Sequence, residues 1–194
     1  MRKLVTKKLA LATNNDKKAK EMGAILSVHN IEVLSTKHFK LPAPEETGNS
    51  FLENAKIKAL YFAENTGLPA LADDSGLCVH ALDNRPGIHS ARYAETDAKA
   101  MQKVIAELAD KADRTAHFHC AMVIAWPDGH VESFEAETHG SILSVPVGEH
   151  GFGYDPIFVP YGFSFSFAQM EAEAKAALSH RGKAIRAFVK NVVI

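Results

Sequence analysis

The run Leu71-Ala72-Asp73-Asp74-Ser75-Gly76-Leu77 constrains this chain more than any other stretch. A short apolar segment breaks into two adjacent carboxylates, a hydroxyl and a glycine, and the apolar Leu77-Cys78-Val79 then resumes. The pattern is that of a strand whose end fixes the carboxylates while glycine admits close backbone approach to a ligand. Two neighbouring aspartates repel, so a positive partner is required, most simply a hard divalent cation with oxygen ligands. A solvated Asp-Asp-Ser-Gly turn fits the same residues, and the rest of the chain has to decide between the two.

Strand and helix patterns alternate on either side of this run. Leu9 to Ala12 reads as a buried strand, followed by a helix with Asp16 as N-cap and Met22, Ile25 and Leu26 as its apolar stripe. Ile31 to Leu34 is a second strand, and a loop rich in Pro, Glu and Gly spans His38 to Asn49. Ser50 and Glu53 form a capping-box pair opening a helix to Asn65, with Gly67 as its stop. Asp97 to Leu108 is helical by pattern, and Ala116–Trp126 with His130–His139 reads as a hairpin closed at Asp128-Gly129. Two helical patterns between Gln169 and Val193 are interrupted at Ser179-His180-Arg181-Gly182. This order argues for an α/β fold with a mixed sheet.

Neither repeat nor linker divides the 194 residues, which suffice for one domain or two joined lobes. A net charge of -1 excludes a basic platform for DNA or RNA. Cys78 and Cys120 stand far apart and read as buried thiols in a reducing compartment. No stretch has the length of a signal-peptide core or a membrane span, so the cytoplasm is the expected location and no membrane partner is expected.

Four groups carry the chemistry. Thr13-Asn14-Asn15-Asp16-Lys17-Lys18 joins a strand to a helix, where free N–H groups and lysines favour phosphate; a capped helix with solvated lysines is the alternative. Glu46, in Glu45-Glu46-Thr47-Gly48, is a candidate to join Asp73 or Asp74 around a magnesium ion. In Gly151-Phe152-Gly153-Tyr154-Asp155-Pro156, flanking glycines leave Phe152 or Tyr154 open to stack on a nucleobase, and Asp155 offers an acceptor to a ring N–H. Lys175 and Ser179-His180-Arg181 supply donors for a carbonyl or a phosphate, or simply end a helix. His117-x-His119 puts two imidazoles on one strand face, but no third ligand follows from the spacing and zinc is not expected.

Taken in order, Thr13-x-Asn15-x-x-Lys18, Glu45-Glu46-Thr47-Gly48-x-Ser50-Phe51-x-Glu53-Asn54-Ala55, Ala72-Asp73-Asp74-Ser75-Gly76-Leu77, Pro86-Gly87-Ile88-x-Ser90-Ala91-Arg92-Tyr93, Gly151-Phe152-Gly153-Tyr154-Asp155-Pro156 and Ser179-His180-Arg181-Gly182 are distinctive. The set resembles the Ham1/RdgB-like family of inosine/xanthosine triphosphate pyrophosphatases, from Leu9 to the last helix. The resemblance implies an elongated mixed sheet with flanking helices, forming one domain of two lobes around a central cleft that holds the active site. It also implies a homodimer, a magnesium requirement, and hydrolysis of ITP, dITP and XTP to monophosphate and pyrophosphate by water attack on the α-phosphorus.

Carried over by position, Glu46 and Asp74 match the metal carboxylates, Asp74 also matches the proton acceptor, and Ser75 a substrate contact. The Thr13–Lys18 stretch matches the phosphate-binding loop, with Asn14 where the family often has Gly. Phe152, Gly153, Tyr154, Asp155, Lys175, His180 and Arg181 match the base-binding set. The Gly-Phe-Gly-Tyr-Asp and Ser-His-Arg motifs argue against the related Maf-like pyrophosphatases. The acidic residues argue against a nucleotide sensor without turnover.

Overall fold

A computed structural model describes residues 1–193. Seven strands, β1 (Lys8–Leu11), β2 (Glu32–Ser35), β3 (Ala70–Val79), β4 (Arg85–Pro86), β5 (Thr115–Ala125), β6 (Val131–Ile142) and β7 (Phe158–Pro160), form one mixed sheet. Its order is β2-β1-β3-β5-β6-β7, with β4 paired to β3. The helices are α1 (Asp16–Ser27), α2 (Thr36–Phe39), α3 (Phe51–Thr66), α4 (Asp97–Glu107), α5 (Ala172–Leu178) and α6 (His180–Val192). The α/β class read from the alternating patterns is the observed one.

The chain divides into two compact units. The first comprises Met1–Asp74, Cys120–Ala136 and the chain from Arg181; the second comprises Ser75–His119 and Glu137–His180.

In the first unit, β1 pairs in parallel with both β2 and β3. Parallel strands covered on both faces are apolar throughout, and here the two faces differ in side-chain size. Leu9, Leu11, Leu71, Met122 and Ile124 join Met22, Leu26, Ile185 and Phe188 in one cluster, with α1 and α6. The alternate residues Ala10, Ala12, Ala70, Ala72, Ala121 and Ala125 form the other with Ala55, Ala59, Phe62 and Ala63 of α3. Alanine facing alanine lets α3 lie close on the sheet, and that closeness brings its polar residues to the carboxylates of β3.

In the second unit the core is aromatic. Phe118 meets Phe158 edge to face with ring centroids 4.7 Å apart, and Phe158 packs on Phe167 at 5.2 Å.

Local chemistry moves several boundaries. Asn15, not Asp16, caps α1: its side chain accepts from the N–H groups of Lys17 and Lys18. Asp16 is instead drawn to Lys37, whose Nζ is 2.8 Å from its carboxylate. Ser50 caps α3 as expected, but the Glu53 carboxylate reaches the N–H of Asn49 at 2.6 Å and so closes the box one residue early. Strand β3 does not end at the aspartates; it runs extended through them to Val79.

Both cysteines are buried and free. Burial raises the Cys78 thiol to about 11 and the Cys120 thiol to about 12. The folded protein is therefore expected to show almost no reaction with a disulfide reagent at pH 8. Both thiols should titrate once denaturant is added; rapid reaction of either in the native state would contradict this burial.

Candidate active site

The two aspartates of β3 live in different surroundings, although they are neighbours in sequence. Asp73 is 1% exposed, and its Oδ2 accepts from Lys18 Nζ at 2.9 Å and Arg181 Nε at 3.2 Å. Arg181 also donates from Nη1 to Glu21 of α1 at 2.7 Å. Burial alone would raise the Asp73 pKa, but Lys18, Arg181 and Lys58 together outweigh it and hold the carboxyl far below its ordinary range. Asp73 is ionised at every relevant pH.

Asp74 shifts the other way. Burial is the largest influence, Glu46 and Asp73 repel the charge, and Lys58 and Lys18 only partly offset them, so its pKa is raised. Its Oδ1 lies 3.5 Å from Lys58 Nζ, and its Oδ2 is 3.4 Å from the amide nitrogen of Asn54. Lys58 also donates to Glu46 Oε1 at 2.7 Å. Burial opposes its charge, yet Asp74, Asp73 and Glu46 keep the ammonium pKa raised.

Asn54 and Lys58 contact the candidate carboxylates, and motif reading did not single them out for this. They stand four residues apart on α3, so they share a helix face. That spacing, with Glu46 upstream, was the available signal. Asn54 Oδ1 also accepts from the N–H of Gly48 at 2.8 Å, which ties down the acidic loop. A Cβ on Gly48 would sit 2.6 Å from Glu53 Cβ and 2.7 Å from Asn54 Oδ1, so only glycine lets the loop come this close.

Glu46 and Asp74 are oxygen donors that converge on one cation, the Lys58 ammonium. A hard divalent ion requires the same donor chemistry, and the residues fit magnesium in kind.

The β1–α1 turn is more occupied than a free phosphate cradle. Thr13 Oγ1 accepts from the N–H of Asn15, and the N–H groups of Lys17 and Lys18 go to the Asn15 side chain. Three of the amides foreseen for phosphate therefore already have side-chain partners. Asn14, Asn15, Asp16 and Lys17 are exposed, while Thr13 and Lys18 are half-buried.

The remaining predicted residues lie in the second unit. Ser75 is half-buried on β3. Asp155, 3% exposed, accepts on Oδ2 from the N–H of Phe152 and from Lys175 Nζ, both at 2.7 Å. Gly151 has φ +75°, and a Cβ there would collide with the Asp155 carboxylate. Lys175 Nζ also sits 4.7 Å from the centre of the half-buried Phe152 ring. Gly153 donates its N–H to Asp97 at 2.9 Å.

Tyr154 is not an open stacking face. It is 5% exposed, packs in the second unit's core and donates its hydroxyl to the Ser90 carbonyl at 2.9 Å. The glycines free Phe152 alone, since the turn points the tyrosine inward. His180 stacks on Phe118 with centroids 4.7 Å apart and planes 10° from parallel.

A mixed sheet with flanking helices, and a strand that carries two aspartates of opposite surroundings, define an α/β protein whose Glu46 and Asp74 oxygens suit a hard cation in kind. The chain belongs to the Ham1 family, whose profile matches residues 9–191. It is 50% identical over 191 residues to the "dITP/XTP pyrophosphatase" of Zymomonas mobilis, covering 95% of this chain and 91% of that one. It is 48% identical over 193 residues to the protein of the same name from Gluconobacter oxydans, covering 97% and 93%. Among solved structures, a HAM1 protein from Coxiella burnetii superposes with a TM-score of 0.88 at 40% identity, covering 94% of this chain and 96% of the other. The Staphylococcus aureus Ham1 protein gives 0.85 at 35%, covering 94% and 98%.

Proposed function

We propose that this protein hydrolyses the non-canonical purine nucleotides ITP, dITP and XTP to the monophosphate and pyrophosphate, clearing them from the nucleotide pool. The observation that carries the reading is the geometry of the β3 aspartates: Asp73 is fixed by Lys18 and Arg181, while Asp74 faces Lys58 beside Glu46. The first arrangement suits a fixed charge and the second a base or an oxygen donor. The names of the relatives support dITP and XTP among these substrates.

Asp74 takes the proton of a water that attacks the α-phosphorus, and pyrophosphate leaves with the electrons of the broken anhydride bond. Asp73 stays ionised and anchors Lys18 and Arg181. Lys58, with Lys17 and Lys18, neutralises charge on the phosphate oxygens. Glu46 and Asp74 would hold Mg2+, which would supply Lewis-acid neutralisation of the phosphates.

The base falls to Phe152, by stacking, and to donors among Lys175, His180 and Arg181, with Ser75 as a further substrate contact. Hypoxanthine and xanthine offer a 6-oxo acceptor to such donors, whereas adenine presents an amino group. Leaving a buried donor unmatched costs on the order of 1–3 kcal/mol. The protein is proposed to act as a cytoplasmic homodimer without nucleic-acid or membrane partners. Among the described residues no helix is long and apolar enough to cross a membrane.

The test is pyrophosphate release from ITP, XTP, dITP, ATP, GTP and dTTP, with magnesium and with EDTA. Release from the inosine and xanthosine nucleotides should exceed that from ATP by about tenfold or more and vanish with EDTA. Comparable rates across the panel would overturn the specificity, and ITP binding without release would overturn catalysis.

A further inference from the structure

The β5–β6 face of the second unit carries a second group of ligand-type side chains, which the proposed reaction does not use. His119 Nδ1 lies 3.1 Å from Glu137 Oε1, and His117 Nε2 lies 3.8 Å from the same oxygen. One ligand atom from each of the three residues falls within 4.8 Å of the others. The sequence spacing offered only the two histidines; the neighbouring strand supplies the third group.

A hydrogen-bond chain behind this trio sets its protons. Thr115 Oγ1 donates to Asp113 Oδ1 at 2.7 Å, so its lone pairs face His80 Nδ1, 2.8 Å away. His80 then carries its proton on Nδ1 and, at Nε2, accepts from His117 Nδ1 at 3.0 Å. With both rings neutral, the His117 lone pair is left on Nε2, the atom that faces Glu137. The His117 Nε2, the His119 Nδ1 and the Glu137 carboxylate oxygen thus converge as ligand-type atoms placed to share one cation. Metal-bound histidines are held in the same way, with the far ring nitrogen hydrogen-bonded so that the near one is basic.

We propose that His117, His119 and Glu137 form a binding site for a zinc-class divalent ion. Two imidazoles and a carboxylate suit Zn2+, Co2+ or Ni2+ and are poor donors for Mg2+, so this site differs in chemistry from the oxygen-only Glu46–Asp74 pair. His80, Thr115 and Asp113 form its supporting shell, and His139 Nε2, 3.0 Å from Glu137 Oε2, steadies the carboxylate. A three-residue ligand set leaves room for water or an exogenous ligand to complete a tetrahedral ion.

The test is zinc binding by the metal-free whole protein, measured by competition with a chromophoric chelator in excess Mg2+. One equivalent should bind, and His119→Ala and Glu137→Gln should each weaken it by about tenfold or more. Both variants should hydrolyse nucleotides as the unsubstituted protein does. Cobalt should give the visible absorption of a four-coordinate nitrogen–oxygen site, and this should vanish in both variants. Zinc should raise the melting temperature of the unsubstituted protein and not of the variants, whose own melting controls for folding. Absence of binding, or zinc held equally by the variants, would overturn the proposal and reduce the cluster to hydrogen-bonded His–Glu contacts.

Discussion

Asp74→Asn is expected to lower pyrophosphate release from ITP by a hundredfold or more at saturating magnesium, since a positioned general base contributes about 10²–10⁴ in rate. Stability should not fall with it. A carboxyl whose pKa is raised by folding opposes the folded state once ionised, and at neutral pH Asp74 is on that unfavourable side. A neutral amide of the same shape removes the opposition and keeps the bond to Asn54. Asp73→Asn should behave in reverse. Its carboxylate is bound by Lys18 and Arg181, and its loss leaves those cations facing a neutral group. Parallel urea denaturation and initial-rate measurements separate the two. Near-full turnover in Asp74→Asn, or a stability loss matching that of Asp73→Asn, would refute the division of roles.

That division was only half legible in the sequence. The Asp73-Asp74 pair announced itself because adjacent carboxylates in an apolar run are costly without partners. The run could not say which aspartate would be ionised and which strained, because the answer lies in residues 16 to 108 positions away in the chain: Lys58 and Arg181. Asn54 was legible as part of a resemblance but not as the tie between Gly48 and Asp74, which exists only once α3 lies on an alanine face of the sheet. Tyr154 misled for a related reason. Glycine-flanked aromatics look open locally, yet whether a ring turns outward depends on a partner such as the Ser90 carbonyl, 64 residues away in sequence. Helix starts and stops read well, as at Ser50 and Gly67, since a cap's chemistry lies within a few residues of it. The exception, Asn15 over Asp16, was settled by Lys37, a more distant competitor for the carboxylate.

Arg181 is proposed to meet the base, yet it is also a buried tie between Asp73 and Glu21, and its removal should be felt first as instability. The guanidinium is buried, and although burial opposes its charge, Asp73 and Glu21 hold its pKa above the ordinary arginine value. Breaking such a buried pair by deleting one partner costs about 3–5 kcal/mol, because the remaining charge stays desolvated. Arg181→Ala should therefore lose stability on that scale at pH 7. The loss should shrink on acidification. In the intact protein the depressed Asp73 pKa gives a contribution that is complete above its unfolded value of 3.8 and fades only well below it. Without Arg181 the Asp73 carboxyl keeps Lys18 but loses its buried partner, so its folded pKa rises and the deficit shrinks as acid begins to protonate it. Urea midpoints of both proteins at pH 7 and pH 3 measure this directly. A deficit of the same size at both values would mean that Arg181 acts through packing rather than through Asp73. Lys18, half-buried and holding the same oxygen, should give a smaller deficit with the same direction of pH dependence.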